Sequence, residues 1–162
     1  MDRRDFLKTV AVSGAAMTIQ RSEAMEILTQ AVNSTGKPDL VAVMGDEPEL
    51  MFQRAIAELG GMKQFVKSGQ KVVVKPNIGW DKVPELAGNT NPKLVAEIVK
   101  QCFAAGAKEV TVFDHTCDDW QKCYKNSGIE SAAKAAGAKV MPAHLESYYR
   151  PVDLSKGKNM KK

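Results

Sequence analysis

The feature that most constrains the fold is Lys71-Val72-Val73-Val74-Lys75, three consecutive β-branched residues between lysines. Side chains branched at Cβ are stiff about χ1 and pack well on a pleated surface, so this run reads as a strand. Similar short runs occur at Leu40-Val41-Ala42-Val43-Met44, Glu109-Val110-Thr111-Val112-Phe113 and Lys139-Val140-Met141. Between them apolar residues recur at helical spacing. Met51, Phe52, Ala55, Ile56 and Leu59 form one stripe, and Leu94, Val95, Ile98, Val99, Cys102 and Phe103 form another. Pro48 suits a first helical turn, Gly60-Gly61 a stop, Asn91-Pro92 a capped start and Gly106 a second stop. Phe65 and Val66 mark a short turn or helix. Ser127 and Glu130 have capping-box spacing for a helix through Ala136, closed by Gly137. Strands alternating with single helices predict an α/β fold, a parallel-sheet βαβ sandwich with right-handed crossovers. Apolar runs without alternation predict strands covered on both faces.

A chain of 162 residues is long enough for one domain with a substantial core. The formal net charge is +4, and much of it lies in the tail, where Lys156, Lys158, Lys161 and Lys162 outweigh Asp153. The body is therefore nearly neutral. It lacks the basic stripe with interleaved aromatics that nucleic-acid binding needs, which argues against that function.

The N-terminus reads as an address. Arg3-Arg4-Asp5-Phe6-Leu7-Lys8 matches the twin-arginine export motif, with Asp2 where Ser or Thr is commoner. Residues 9–19 are apolar but fall short of the roughly 20 needed to span a bilayer. Ser22-Glu23-Ala24 suits signal peptidase, placing cleavage after Ala24. The expected organisation is a signal peptide over 1–24, a linker over 25–38, an α/β domain over 39–145 and a basic tail over 146–162. The translocase would be the partner during export. The mature protein would lie in the periplasm, or otherwise outside the cytoplasm, with no stable membrane span.

In parallel α/β sheets ligands sit at the carboxyl ends of the strands, and the loops there hold the reactive side chains. The loop after Lys75 contains Asn77 and leads through Asn89, Thr90 and Asn91 into a helix N-terminus. Unpaired N–H groups and the helix dipole favour an anion there. A solvated Lys75 on an ordinary surface loop fits the same residues, and the spacing matches neither a P-loop nor a dinucleotide fingerprint. The next loop carries Asp114 and His115, a pair suited to proton handling, then Cys117 and Cys123. With His144, and His115 itself, those thiols are chemically fit to hold zinc or another soft metal, though their spacing follows no known ligand pattern. A Cys117–Cys123 disulfide and two unpaired thiols are both compatible with the residues. Cys102 belongs to a helical apolar stripe and reads as core.

Val72-Val73-Val74-Lys75-Pro76-Asn77-Ile78-Gly79, Asn89-Thr90-Asn91-Pro92, Gly106-Ala107, Val110-Thr111-Val112-Phe113-Asp114, Ser127-Gly128-Ile129 and Ala136-Gly137-Ala138 follow in order. Together they resemble the N-terminal half of the family called domain of unknown function 362, over residues 40 to 141. The resemblance implies an α/β domain whose members often carry twin-arginine signals. Some members have ferredoxin-type iron–sulfur segments, whereas this chain has three cysteines and no complete cluster motif. Its cofactor is left undefined. Members usually continue into further strands, which makes the expected domain an incomplete version of a larger one, either truncated or a short form.

Two functional classes follow. One is an exported protein, enzyme or redox-associated, that binds a small anionic ligand or a redox-associated cofactor at the strand ends. The other is a non-catalytic binding or assembly module, or a truncated half-domain, that needs a partner chain.

Overall fold

The computed structural model describes residues 38–160. The signal segment with Arg3 and Arg4, and the linker up to residue 37, lie outside the described residues, as do Lys161 and Lys162. The described part forms one unit, with the order α1 (Pro48–Glu58), β1 (Lys71–Val74), α2 (Pro92–Ala104), β2 (Glu109–Val112), α3 (Trp120–Asn126), α4 (Ile129–Ala135) and β3 (Lys139–Val140). Short 3-10 turns occur at Met62–Gln64, Pro84–Leu86 and Glu146–Tyr148. The fold is α/β, an open all-parallel sheet in the order β1-β2-β3.

Local chemistry explains the boundaries. Pro48 and Pro92 sit in the first turns of α1 and α2, where a missing N–H costs nothing. The Asn91 side chain accepts from the Lys93 N–H at 2.9 Å, a cap worth about 1 kcal/mol. Beyond α2 the chain reverses at Gly106, with φ of 103°, and a Cβ there would stand 3.1 Å from the Ser68 Cα. Only glycine fits both the backbone angle and the approach.

Register pairs Val72 with Val110 and Val74 with Val112, then Val112 with Val140. These side chains share one face. With Val95, Val99, Cys102, Tyr124, Ile129 and Ala133 they make the core, in which Val110 and Val112 are wholly buried. α2 packs on β2 and α4, α4 on β3, and α1 on α2. The opposite face carries Lys71 and Val73 on β1, Glu109 and Thr111 on β2, and Lys139 on β3. There Glu109 bridges Lys71 and Lys139, and the hydrogen bond from Lys139 is the main cause that holds its carboxyl below the usual range.

Four sequence expectations are corrected. The strands are not covered on both faces: Val73 is 60% exposed. Successive right-handed crossovers that add strands in one direction bring their helices to the same side, and β1-β2-β3 contains no reversal. Residues 40–44 are irregular rather than a strand, with Leu40 and Met44 exposed. The run pairs with no neighbouring strand, and β propensity without pairing does not make one. Residues 120–126, expected as loop, form α3, because Asp119 caps it by accepting from the Lys122 N–H at 3.0 Å. The Ser127–Glu130 capping box is absent. Gly128 in the left-handed region breaks the chain between α3 and α4, and Glu130 pairs with Lys134 instead.

The two sides of the sheet should differ sharply on truncation. Ile129→Ala is expected to lower the unfolding free energy by about 3 kcal/mol. Val73→Ala should change it by less than about 0.5 kcal/mol, both read from urea unfolding curves.

Candidate functional site

The loop after β1 is anchored at its base by burial. Pro76, Ile78 and Gly79 are all buried, with Ile78 at 0% exposure. Asn77 and Thr90 clasp the two ends together. The Asn77 N–H donates to Thr90 Oγ1 at 2.9 Å, and the Thr90 N–H donates to the Asn77 carbonyl at 3.0 Å. Asn77 Nδ2 donates to the Gly88 carbonyl, and its Oδ1 accepts from the Gly79 N–H. Asn89 holds the loop's middle, with Oδ1 accepting from the Trp80 N–H and Nδ2 donating to the carbonyls of Trp80 and Lys82. Asn91 caps α2. The four polar residues expected to bind a ligand, Asn77, Asn89, Thr90 and Asn91, thus bond within their own loop and helix start.

The loop after β2 is latched onto the first. Asp114 is 5% exposed, and both its carboxylate oxygens are engaged. Oδ1 pairs with Lys75 Nζ, and Oδ2 accepts from the Ile78 N–H at 2.8 Å. The Gly79 carbonyl accepts from the N–H groups of Cys117 at 2.9 Å and Asp118 at 3.1 Å. Asp118 Oδ2 accepts from the Asp81 N–H, and Asn126 Nδ2 of α3 donates to Asp81 Oδ1. Lys75 and Asp114 therefore meet at the carboxyl ends of β1 and β2, as the parallel register requires.

Tyr124 ties this rim to β3. Its hydroxyl accepts from the Asp114 N–H at 2.8 Å and lies 3.0 Å from the carbonyls of both Asp114 and Met141. Burial pushes its phenol above the ordinary value. Nothing in the strand-by-strand reading singled out Tyr124. The available signal was its place four residues after Trp120, a spacing that puts both rings on one helical face.

The remaining expected residues do not gather into one ligand set. His115 is exposed, its ring 6.4 Å from that of Tyr149. His144 stacks on Trp120 at 4.8 Å with Tyr148 edge-on, and its buried Nδ1 has no partner. Cys117 is exposed, Cys123 is buried, and both are free thiols. Among the described residues no group of three or more His, Cys, Asp or Glu side chains is placed to hold a metal ion, and Cys117, Cys123 and His144 do not form one.

Among the described residues, a three-stranded parallel sheet with strand-end loops zipped together defines an α/β domain in which Lys75 and Asp114 meet at one rim. Residues 72–162, more than half the chain, match the family described as Domain of unknown function (DUF362), and the chain belongs to that family. The match starts within β1 and takes in both latched loops. No curated protein and no solved structure matches the chain.

Removing the clamp should cost more than removing its cation. Asp114→Ala leaves the Ile78 N–H buried without an acceptor and should cost about 2–3 kcal/mol. Lys75→Ala strips one of the two donors from that buried carboxylate, but water can enter where the exposed lysine stood, so it should cost about 1–2 kcal/mol by chemical denaturation. Tyr124 adds a pH signature. A phenol raised in the folded state stabilises fully below its unfolded pKa, near 10, and that stability fades as pH climbs through the folded value. Tyr124→Phe should therefore lose least, relative to wild type, at the alkaline end of a stability–pH series.

Proposed function

We propose that the protein is an exported domain that holds a small anionic ligand on the rim formed by the carboxyl ends of β1 and β2. The observation that carries this reading is the state of Lys75. Its side chain is 60% exposed, yet its ammonium group is held by a buried carboxylate whose second oxygen is fixed by the Ile78 N–H. An ammonium so positioned keeps further donors turned to solvent, and a donor fixed beforehand costs little to reorganise when an anion arrives. Asp114 in this reading orients Lys75. His115, next along the chain and exposed, is the group that exchanges protons with a bound ligand. Asn77, Asn89, Thr90 and Asn91 act by fixing the loop that surrounds the anion.

Export is supported by Arg3-Arg4-Asp5-Phe6-Leu7-Lys8 and the apolar stretch after it, with the twin-arginine translocase as the transient partner and the periplasm as destination. Among the described residues no helix is long and apolar enough to cross a membrane.

A second reading, a binding or assembly module that needs a partner chain, is favoured by one observation. The sheet face opposite the helices leaves Val73 and, just past β3, Met141 about half exposed or more, at 60% and 49%. The two readings separate experimentally. Titration of the folded chain with inorganic phosphate, followed by calorimetry, should show binding that weakens at least tenfold in Lys75→Ala and little in Tyr148→Ala. Unchanged binding in both Lys75→Ala and His115→Ala would end the anion reading. A cleanly monomeric species that unfolds in one cooperative step would count against the assembly module. For export, replacing Arg3 and Arg4 together by lysine should leave the protein in the cytoplasmic fraction.

A further inference from the structure

Two thiols converge on a single glycine. The Gly79 carbonyl oxygen accepts the Cys117 N–H at 2.9 Å and stands 3.6 Å from Cys123 Sγ. Cys117 Sγ lies 3.6 Å from the point a Cβ on Gly79 would occupy, so it too stands against this residue. The backbone of one cysteine and the sulfur of the other thus share one carbonyl. An S–S bond between them requires their Cα atoms within about 7 Å and the exposed Cys117 side chain turned towards Cys123. The third thiol, Cys102, sits in the core on α2 and takes no part.

We propose that Cys117 and Cys123 are a dithiol couple: Cys117 is the thiol that reacts with a small disulfide, and Cys123 is the thiol that resolves it. Their exposures divide the labour, since Cys117 is open to solvent and Cys123 is 0% exposed behind it. Burial also pushes the Cys123 thiol up, which disfavours its direct reaction with a dissolved disulfide. Cys117, as thiolate, attacks one sulfur of glutathione disulfide. That S–S bond breaks, one glutathione leaves as thiolate, and a mixed disulfide forms on Cys117. Cys123 then gives up its proton to solvent and attacks the Cys117 sulfur, expelling the second glutathione. Two protein thiols are oxidised and one glutathione disulfide is reduced to two glutathiones. The product clips the loop that carries His115 to α3. This couple stands whether or not an anion binds at Lys75.

The test uses the folded full chain equilibrated with glutathione disulfide, then unfolded, alkylated and digested with trypsin. Cleavage after Lys122 falls between the two cysteines, so a clip joins two otherwise separate peptides. The expected result is that cross-linked pair, with Cys102 alkylated. Cys123→Ser should instead trap one glutathione on Cys117, and Cys117→Ser should take up none. A stable glutathione adduct on Cys117 of the unsubstituted chain, with Cys123 still alkylated, would overturn the couple. So would full alkylation of both thiols at a ratio that oxidises a dithiol control peptide. If Cys123→Ser does not fold, the solvent-exposed Cys117→Ser still decides: a cross-link to Cys102 in that variant, or glutathione on Cys123, counts against the assignment.

Discussion

One buried carboxylate organises the strand ends. A charge with 5% exposure is stable only where donors replace the water it has lost, and Asp114 has two of them, the Lys75 ammonium and the Ile78 N–H. Both come from the loop after β1, while Asp114 itself follows β2. Satisfying this one side chain therefore fixes how the two loops lie against each other. The Gly79 carbonyl and Asp81 then extend the contact towards α3, and the Tyr124 hydroxyl brings in the end of β3. The polar residues of the first loop complete the frame from within. This is why so many side chains of ligand-binding type turn inward, and why Lys75 is the cation left facing water at the junction.

The one-sided sheet has a simpler origin. Three strands laid down in sequence order, each joined to the next through helices, leave no reversal at which helices could pass to the other face. α2 and α4 then bury Val110 and Val112 completely, and Val73, on the edge strand, stays in solvent. The lysines of that face blunt its edges, since a charged row at a strand edge discourages indiscriminate pairing. Glu109 between Lys71 and Lys139 makes the row internally balanced apart from one positive charge.

Much of this was legible in the residues. The valines of β1 and β2 and the stripe of α2 announced their elements, because burial on one face demands apolar side chains at a fixed period. Pro92 behind Asn91 announced a helix start through its own local chemistry. Adjacency of Lys75 and Asp114 followed from parallel strands with loops at the same end. What the residues did not carry was pairing. Residues 40–44 have the composition of a strand but not the neighbour that would make them one, and neighbour identity is a long-range fact. Gly128 shows the opposite failure, where a local spacing, Ser127 to Glu130, suggested a cap that a left-handed glycine displaced. At the site, residue type pointed to Asn77 and Asn89 as binders. Type alone does not tell a side chain that meets a ligand from one that closes its own loop.

Lys75 lies where the rim and the open face meet. Side chains alternate along a strand, so Lys71, Val73 and Lys75 project to one side while Val72 and Val74 enter the core. The ammonium that reaches Asp114 at the rim thus rises from the uncovered side of the sheet. A partner seated on Val73 would touch the stem of the same lysine that an anion would engage at its tip. Long aliphatic stems cover apolar surface while their charged ends stay wet, so both contacts fit on one side chain without exclusion. On the two proposed readings, a ligand at the rim and a partner on the face would therefore share one side chain.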